Sequence, residues 1–328
     1  MGEISPAEKF KIIDKLISND NNELNITWLC DIAEVSRSGF YKWKDRQNNP
    51  NEKELQDQAD FEIVLEAYNH RGYKKGSRSI VMWIMHHKPD KYMNRKKVQR
   101  LMRKYNLLCP IRKANPYRRM AKAIQQSTVA DNLVNREFRE HGARKVLLSD
   151  ISYFFYGKYQ KAFLSSLLDA YTKENLAYVL SDNLKEDFVL LTINDLIVKH
   201  SDELETDAIH HSDQGVHYKA YSLQQLLKDN NLRQSMSRKA NCWDNAPKES
   251  FFGHMKDHTT EKLKDCHTFE EVKKVIDDYM DYYNNDRYQW KLAKLSPRQY
   301  YHYCKTGNHP LGLKEKEDIQ EEKSSNKS

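Results

Sequence analysis

Several features that would mark a fibrous, secreted or membrane protein are scarce in this chain. Its 328 residues include ten glycines and eight prolines, too few for collagen-like, elastic or low-complexity character over the bulk of the sequence. No apolar run approaches the roughly 18 residues of a membrane span. The best, Ile80–Met85, has six. The opening MGEISPAEKFK has no apolar segment after its charges, so no secretory signal is expected. The five cysteines (30, 109, 242, 266, 304) are odd in number and lack CxxC spacing. That pattern predicts a reduced, cytoplasmic chain without a disulfide framework or membrane association. What is present is 39% apolar residues, enough for a sizeable core, and 20 tyrosines.

Acid is missing from one long stretch. The net charge is +7, with 54 basic and 47 acidic residues, yet twelve Lys and Arg and no Asp or Glu fall between Lys91 and Lys122. A block of like charge repels itself unless solvent or a polyanion relieves it. It reads either as a solvated basic helix and linker or as a DNA-contacting arm in which clustered cations neutralise phosphates. The second reading makes Arg95, Lys96, Lys97, Arg100, Arg103, Lys104, Arg112, Lys113, Arg118 and Arg119 DNA-binding candidates. The tail from Leu311 mixes four Lys with five acids, has little to bury, and is expected to be disordered.

Apolar spacing predicts a helix over 6–19 and then two short helices across ITWLCDIAEVSRSGFYKWK. Leu29, Ile32 and Ala33 are expected to face inward, and Ser36 to cap the second helix. This is the layout of a helix-turn-helix, although a plain helical hairpin fits as well. Residues 47–59 read as a polar linker or an exposed helix start, and helices are predicted over 60–69, 77–87 and 94–105. From 145 the pattern changes. Strands are predicted over 145–153, 161–170, 176–181, 208–211 and 232–236, and helices over 184–199, 220–229, 244–258 and after 267. Three strands followed by alternating helices and strands imply an α/β core with a mixed sheet.

Three carboxylates stand out. Asp150 sits inside an apolar strand, where a charge needs a partner or a metal. Asp213 follows the strand AIHH, at the end of the strand where open α/β sheets hold ligands. Glu249 opens a helix. Asn245 and Lys256 fall on the same helical face as Glu249. Asn245 reads either as orienting that carboxylate or as a simple cap, and Lys256 either as a DNA contact or as a solvated lysine. His211 is expected to be a packed core histidine, and Trp243 a packing anchor. His86, His87, His217 and His254 form no spaced zinc set with Cys109 or Cys242.

The contexts SDIS (149–152), HSDQG (211–215) and SMSRKANCWDNAPKESFFG (235–253) closely resemble the catalytic core of bacterial insertion-sequence transposases of the IS-three family, relatives of retroviral integrases. SRSGFYKW (36–43), MNRKKVQRLMR (93–103) and YYNNDRYQWKLAKLSP (282–297) extend the resemblance over nearly the whole chain. It departs around the first Asp: the family usually has a Trp shortly before it and Thr on either side, whereas here Leu148-Ser149 precede Asp150 and Ser152 stands two after it. The resemblance implies a ribonuclease-H-like core with a mixed five-stranded sheet and flanking helices, preceded by all-α helix-turn-helix segments. It further implies that Asp150, Asp213 and Glu249 are the catalytic acids. They would hold two Mg²⁺, replaceable by Mn²⁺, for 3′-end cleavage and strand transfer without a covalent enzyme–DNA intermediate. Hard oxygen ligands suit that ion. The implied partners are the element's terminal inverted repeats, target DNA, further copies of the chain, and a helix-turn-helix product of an upstream frame. The setting would be the bacterial cytoplasm, at the nucleoid. No heptad run is visible, so the chain reads as the second-frame product alone. The expected divisions are a helix-turn-helix-like segment (1–48), a basic helical DNA-binding domain (58–108), a basic linker (109–138), the core (139–262), a C-terminal helix with a basic-aromatic segment (263–308) and the tail (309–328). Two other readings remain: a catalytically silent DNA-binding derivative, and a ribonuclease-H-like nuclease that cuts without joining.

Overall fold

The computed structural model describes residues 5–18, 25–48, 52–109, 140–184, 187–237 and 245–313. The chain divides into two compact units, Met1–Leu65 and Glu66–Ser328.

In the first unit, helices α1 (Pro6–Ile17), α2 (Ile26–Ile32) and α3 (Arg37–Asn48) close around Ile13, Leu29, Cys30 and Phe40. Ser5 and Glu8 form a capping box on α1, and Asn25 caps α2. Ser36 caps α3 as predicted, its Oγ accepting from the Gly39 N–H at 3.1 Å. Gly39 is required here, because a Cβ would lie 2.7 Å from Ser36 Oγ and 3.1 Å from Phe10 Cζ. One inward expectation is overturned: Ile32 is 73% exposed. The buried stripe of this seven-residue helix runs through Leu29 and Cys30, leaving Ile32 on the solvent side. Helix α4 (Glu52–Asn69) begins earlier than predicted, taking up most of the polar stretch that reads as a linker.

The second unit opens with α5 (Ser77–His87) and α6 (Arg95–Lys104), close to their predicted bounds. Its sheet contains β1 (Val146–Tyr156), β2 (Gln160–Asp169), β3 (Asn175–Ser181), β4 (Ile209–Ser212) and β5 (Arg233–Met236), in the order β3-β2-β1-β4-β5. The β1–β2 and β2–β3 pairs are antiparallel, and β4 is parallel to both β1 and β5. Helix α7 (Asp187–His200) links β3 to β4, and α8 (Tyr221–Asp229) links β4 to β5. Helices α9 (Ala246–Lys264), α10 (Phe269–Asn285) and α11 (Pro297–Thr306) follow. This is the ribonuclease-H-like arrangement.

The period-two alternation of β1 divides the core into two faces. Val146 and Leu148 pack with Phe251, Phe252 and Met255 of α9 and with Val272, Ile276 and Tyr279 of α10. Leu147 points the other way, into Phe188, Val189 and Ile193 of α7 and Leu223 and Leu227 of α8. β1 runs three residues beyond its predicted end, because Phe154 and Tyr156 continue the buried face while Tyr153 and Phe155 stay exposed. α9 likewise outruns its predicted end by six residues, with Thr259 and Leu263 extending its buried stripe.

The helical segment is fastened to this core. Tyr73 is buried and stacks on Tyr282 of α10 at 4.1 Å. Arg71, at φ 56°, reaches Asp278, Asp281 and Asp286 at 2.9, 2.8 and 2.5 Å. His86 stacks on Tyr288 at 3.8 Å and pairs with the Lys294 carbonyl at 2.9 Å. Among the described residues no helix is long and apolar enough to cross a membrane.

Candidate active site and nucleic-acid interface

Register brings two of the three acids to one place. β1 and β4 run parallel with Leu148 opposite His211. Asp150 stands two residues beyond Leu148, in the middle of β1, and Asp213 two beyond His211, just past the end of β4, so the two hold matching positions on neighbouring strands. Asp150 is half-buried and accepts from its neighbour's Ile151 N–H at 2.8 Å. Asp213 is exposed and closes a turn by accepting from Gly215 N–H at 2.9 Å. Glu249 lies in the first turn of α9, which packs against β1.

Asp150 feels the other two carboxylates. Burial raises the Asp150 carboxyl above the ordinary range, and Asp213 and Glu249 raise it further, while Lys248 opposes them. Among the described residues, no group of three His, Cys, Asp or Glu side chains is gathered closely enough to hold a metal ion by itself. The donor set nevertheless suits Mg²⁺. Its oxygens are hard, the crowded negative charge favours a cation, and Mg²⁺ keeps waters and commonly binds one or two carboxylates together with substrate phosphates. Asn245 Oδ1, buried with no hydrogen-bond partner among the described residues, adds one more oxygen beside β1 at Ser149.

Lys248 is the residue that sequence reasoning passes over. It is fully buried, donates to Ser166 Oγ at 2.5 Å, and lies 4.9 and 5.0 Å from the Phe251 and Phe252 rings. Ser166 is the cross-strand partner of Asp150. Burial pulls the ammonium's pKa down, and Asp150 holds it up. Lys248 and Asp150 thus lie close enough to influence each other's ionisation.

The supporting residues divide. The Asn245 amide donates to the Ser149 carbonyl at 3.3 Å, and its side chain makes no cap to α9. It is therefore tied to β1 beside Asp150. Lys256 lies 5.1 Å from the Tyr153 ring and 5.6 Å from that of Phe154; burial lowers its pKa, while Asp150 raises it. His211 is a buried core histidine, as expected, its Nδ1 3.0 Å from Ser235 Oγ. Trp243 lies outside the described residues.

Helix α6 is strongly two-sided. Val98, Leu101 and Met102 are buried, Asn94 caps the helix, and Arg95, Lys96, Arg100, Arg103 and Lys104 are exposed, with Lys97 half-buried. Arg95 and Lys96 border a groove of about 1300 Å³ that Arg78, Lys91, Trp290 and Lys294 also line. None of its described lining residues is acidic. Arg112, Lys113, Arg118 and Arg119 lie outside the described residues.

Comparison with known proteins supplies the class. Integrase core domain profiles match residues 140–242 and 249–303, and an HTH-like domain profile matches 55–115. InsK, the protein assigned as transposase to insertion sequence element IS150 of Escherichia coli (strain K12), is 31% identical over 268 residues, covering 82% of this chain and 90% of that protein. Transposase InsF for insertion sequence IS3A of the same organism is 25% identical over 290 residues, covering 87% and 96%. Among solved structures, the HTLV-2 integrase catalytic core domain in complex with magnesium is 13% identical with a TM-score of 0.40, covering 49% of this chain and 97% of that one. The chain is thus an integrase-core protein with an HTH-like region. It belongs to the IS3 family of insertion-sequence transposases and is a DNA transposase.

Proposed function

We propose that the chain cleaves the 3′ ends of its element and joins them to target DNA at one divalent-metal site formed by Asp150, Asp213 and Glu249. Asp150, Asp213 and Glu249 would together hold the two ions. Bound there, the ions would activate the attacking oxygen and stabilise the leaving oxygen of an in-line displacement. Mn²⁺ would substitute for Mg²⁺. The chain's own residues prepare that site. Lys248 offsets part of the negative charge from beneath, Asn245 holds the β1 backbone beside Asp150, and Lys256 faces the DNA end. The exposed cations of α6, with Arg112, Lys113, Arg118 and Arg119, contact phosphates. Residues 58–108 are the basic DNA-binding domain and 139–262 the catalytic core. Terminal repeats, target DNA, further copies of the chain and an upstream-frame product are its partners.

The observation that carries this reading is that Asp150 and Asp213 stand two residues beyond a paired position of neighbouring parallel strands, with the Asp150 carboxyl raised by burial and by the charges of Asp213 and Glu249. The test uses Asp150→Asn, Asp213→Asn and Glu249→Gln with a terminal-repeat duplex. Each substitution should lower both end cleavage and joining of a pre-cleaved 3′-OH end by orders of magnitude, with DNA binding retained. Chelator should abolish both steps in the unmodified protein. Near-normal cleavage and joining by any one variant would remove that residue from the site.

A further inference from the structure

A second, smaller cavity lies away from the carboxylates. About 140 Å³ in volume, it opens where the linker enters α5 and is lined by Lys74, Lys75, Ser79, His254, His258 and Arg287, among others. Drug-sized ligands occupy pockets of about 300–1,000 Å³, so this one suits a small group.

Its charge is unbalanced. Lys74, Lys75 and Arg287 bring three cations from two segments. The acid on its wall, Asp286, is already bound to Arg71 at 2.5 Å. Lys75 donates only to carbonyls in the described structure, those of His70 and Tyr73 at 2.6 and 2.9 Å. The Arg287 guanidinium sits 5.5 Å from the Tyr283 ring and makes no ion pair among the described residues. From α9, His258 titrates low, at about 4, through burial and then the positive charges of Arg287, His254, Lys75 and Lys262.

Its donors are unspent. Gly76 caps α5 without a side-chain hydrogen bond, so the first-turn N–H groups lack a side-chain acceptor. A Cβ at Gly76 would meet nothing within 4 Å, which leaves the backbone open to approach. Independently, Trp83 lines the cavity at 2% exposure, and its buried Nε1 has no hydrogen-bond partner among the described residues. A buried indole N–H without an acceptor calls for one. Excess positive charge, helix N-terminal amides and an orphaned N–H together call for an oxyanion.

We propose that this cavity seats one phosphate group of the DNA backbone, gripped by Lys75, Arg287, the first turn of α5 and the Trp83 N–H. The choice of DNA as the carrier rests on the transposase reading, whereas the preference for phosphate does not. The gripping groups come from two segments that are far apart in sequence, so a bound phosphate would clamp α5 to the turn after α10.

The test follows the His258 ring by NMR in the full chain, metal-free, in phosphate against chloride at equal ionic strength. An opposite charge within about 4–6 Å shifts a pKa by about 1–3 units, so phosphate should raise the His258 midpoint by about one unit or more. Arg287→Gln should abolish that shift. Lys74→Gln, at an exposed position, should weaken it without disturbing the fold. With duplex DNA, Arg287→Gln should also flatten the dependence of log affinity on log salt by roughly 0.9. An unchanged His258 midpoint in phosphate would overturn the seat. A midpoint that moves while neither variant changes the DNA slope would overturn DNA as the source, leaving a free anion. Neither measurement uses cleavage, so loss of the slope in a chain that cannot cut would refute the transposase mechanism and not the cavity.

Discussion

Removing the buried ammonium beneath the carboxylates should have a large and separable effect. Lys248→Met keeps length and apolar volume while leaving Asp150 without its buried counter-charge. Lys248 and Asp150 interact through charge without a salt bridge, so the cost of breaking a fully buried pair, about 3–5 kcal/mol, is an upper bound. Asp150 is only half-buried, and solvent screening reduces the loss to about 2–3 kcal/mol. At about 2–4 °C per kcal/mol for a unit of this size, the unfolding midpoint should fall by roughly 4–12 °C. Asp150→Asn should be less destabilising, because Lys248, whose pKa burial lowers to about 7, can shed its proton once Asp150 is gone. The double variant should recover most of the loss, with a coupling of about 1–3 kcal/mol. The pH dependence has a definite sign. An acid whose folded pKa is raised destabilises the protein above that pKa, so the deficit of Lys248→Met should shrink as pH falls through the raised range of Asp150. Mg²⁺ should restore stability more in Lys248→Met than in the unmodified chain, since the ion takes over the role of the ammonium. Chemical unfolding of metal-free protein at several pH values measures all of this. Single-variant losses that simply add in the double variant, within about 0.5 kcal/mol, would refute the pairing.

Replacing Arg95, Lys96, Lys97 and Arg100 together by Ala should flatten the salt dependence of DNA binding by roughly 0.9 for every phosphate no longer neutralised, without unfolding; an unchanged slope would return α6 to a merely solvated role. Gly39→Ala should destabilise the first unit by about 1–3 kcal/mol, read by thermal unfolding, because its Cβ would meet Ser36 Oγ at 2.7 Å; an unchanged midpoint would mean that α1 and α3 yield freely. Burial raises Asp278, but the Tyr73 hydroxyl and Arg71 outweigh it and hold the carboxyl below its ordinary value. Its contribution is therefore present above the ordinary carboxylate range and is lost as pH falls through its lowered pKa. Arg71→Leu should reduce the acid sensitivity of amide-exchange protection over residues 70–76, and equal sensitivity in both proteins would refute that role.

Much of this is legible from period alone. The alternation in KVLLSDISY decides which residues of β1 meet α9, and the apolar spacing of 94–105 gives α6 its buried side. The conspicuous acids stand out because a carboxylate in an apolar strand is anomalous by itself. Lys248 is hidden for the opposite reason. Between Pro247 and Glu249 it reads as an ordinary lysine at a helix start, and Ser166, which receives it, lies 82 residues away. One signal points to it: Lys248, Phe251, Phe252 and Met255 fall at i, i+3, i+4 and i+7, placing the lysine on the buried stripe. Asn245 illustrates the limit of spacing. Four residues from Glu249 suggest a partner on the same helix, but a position before the first turn can direct its amide to the sheet instead. Ile32 is misread because a helix of seven residues has too few turns for periodicity to settle which side is wet.

The fastening of the 70–76 segment has a consequence for measurement along DNA. Tyr73 in the core, Arg71 on Asp278 and Asp281 of α10, and His86 on Tyr288 hold α5, on which α6 packs, against the core. A reading head on a loose tether can find its sequence at any spacing from the cut, but one bolted to the blade works as a caliper. Under the proposed function, the span between phosphates contacted by α6 and the bond presented to Asp150 would be a property of the protein, fixed before DNA arrives. Base pairs inserted into that span would not be absorbed by the chain. The DNA would have to bend or twist to accommodate them, or the cut would move.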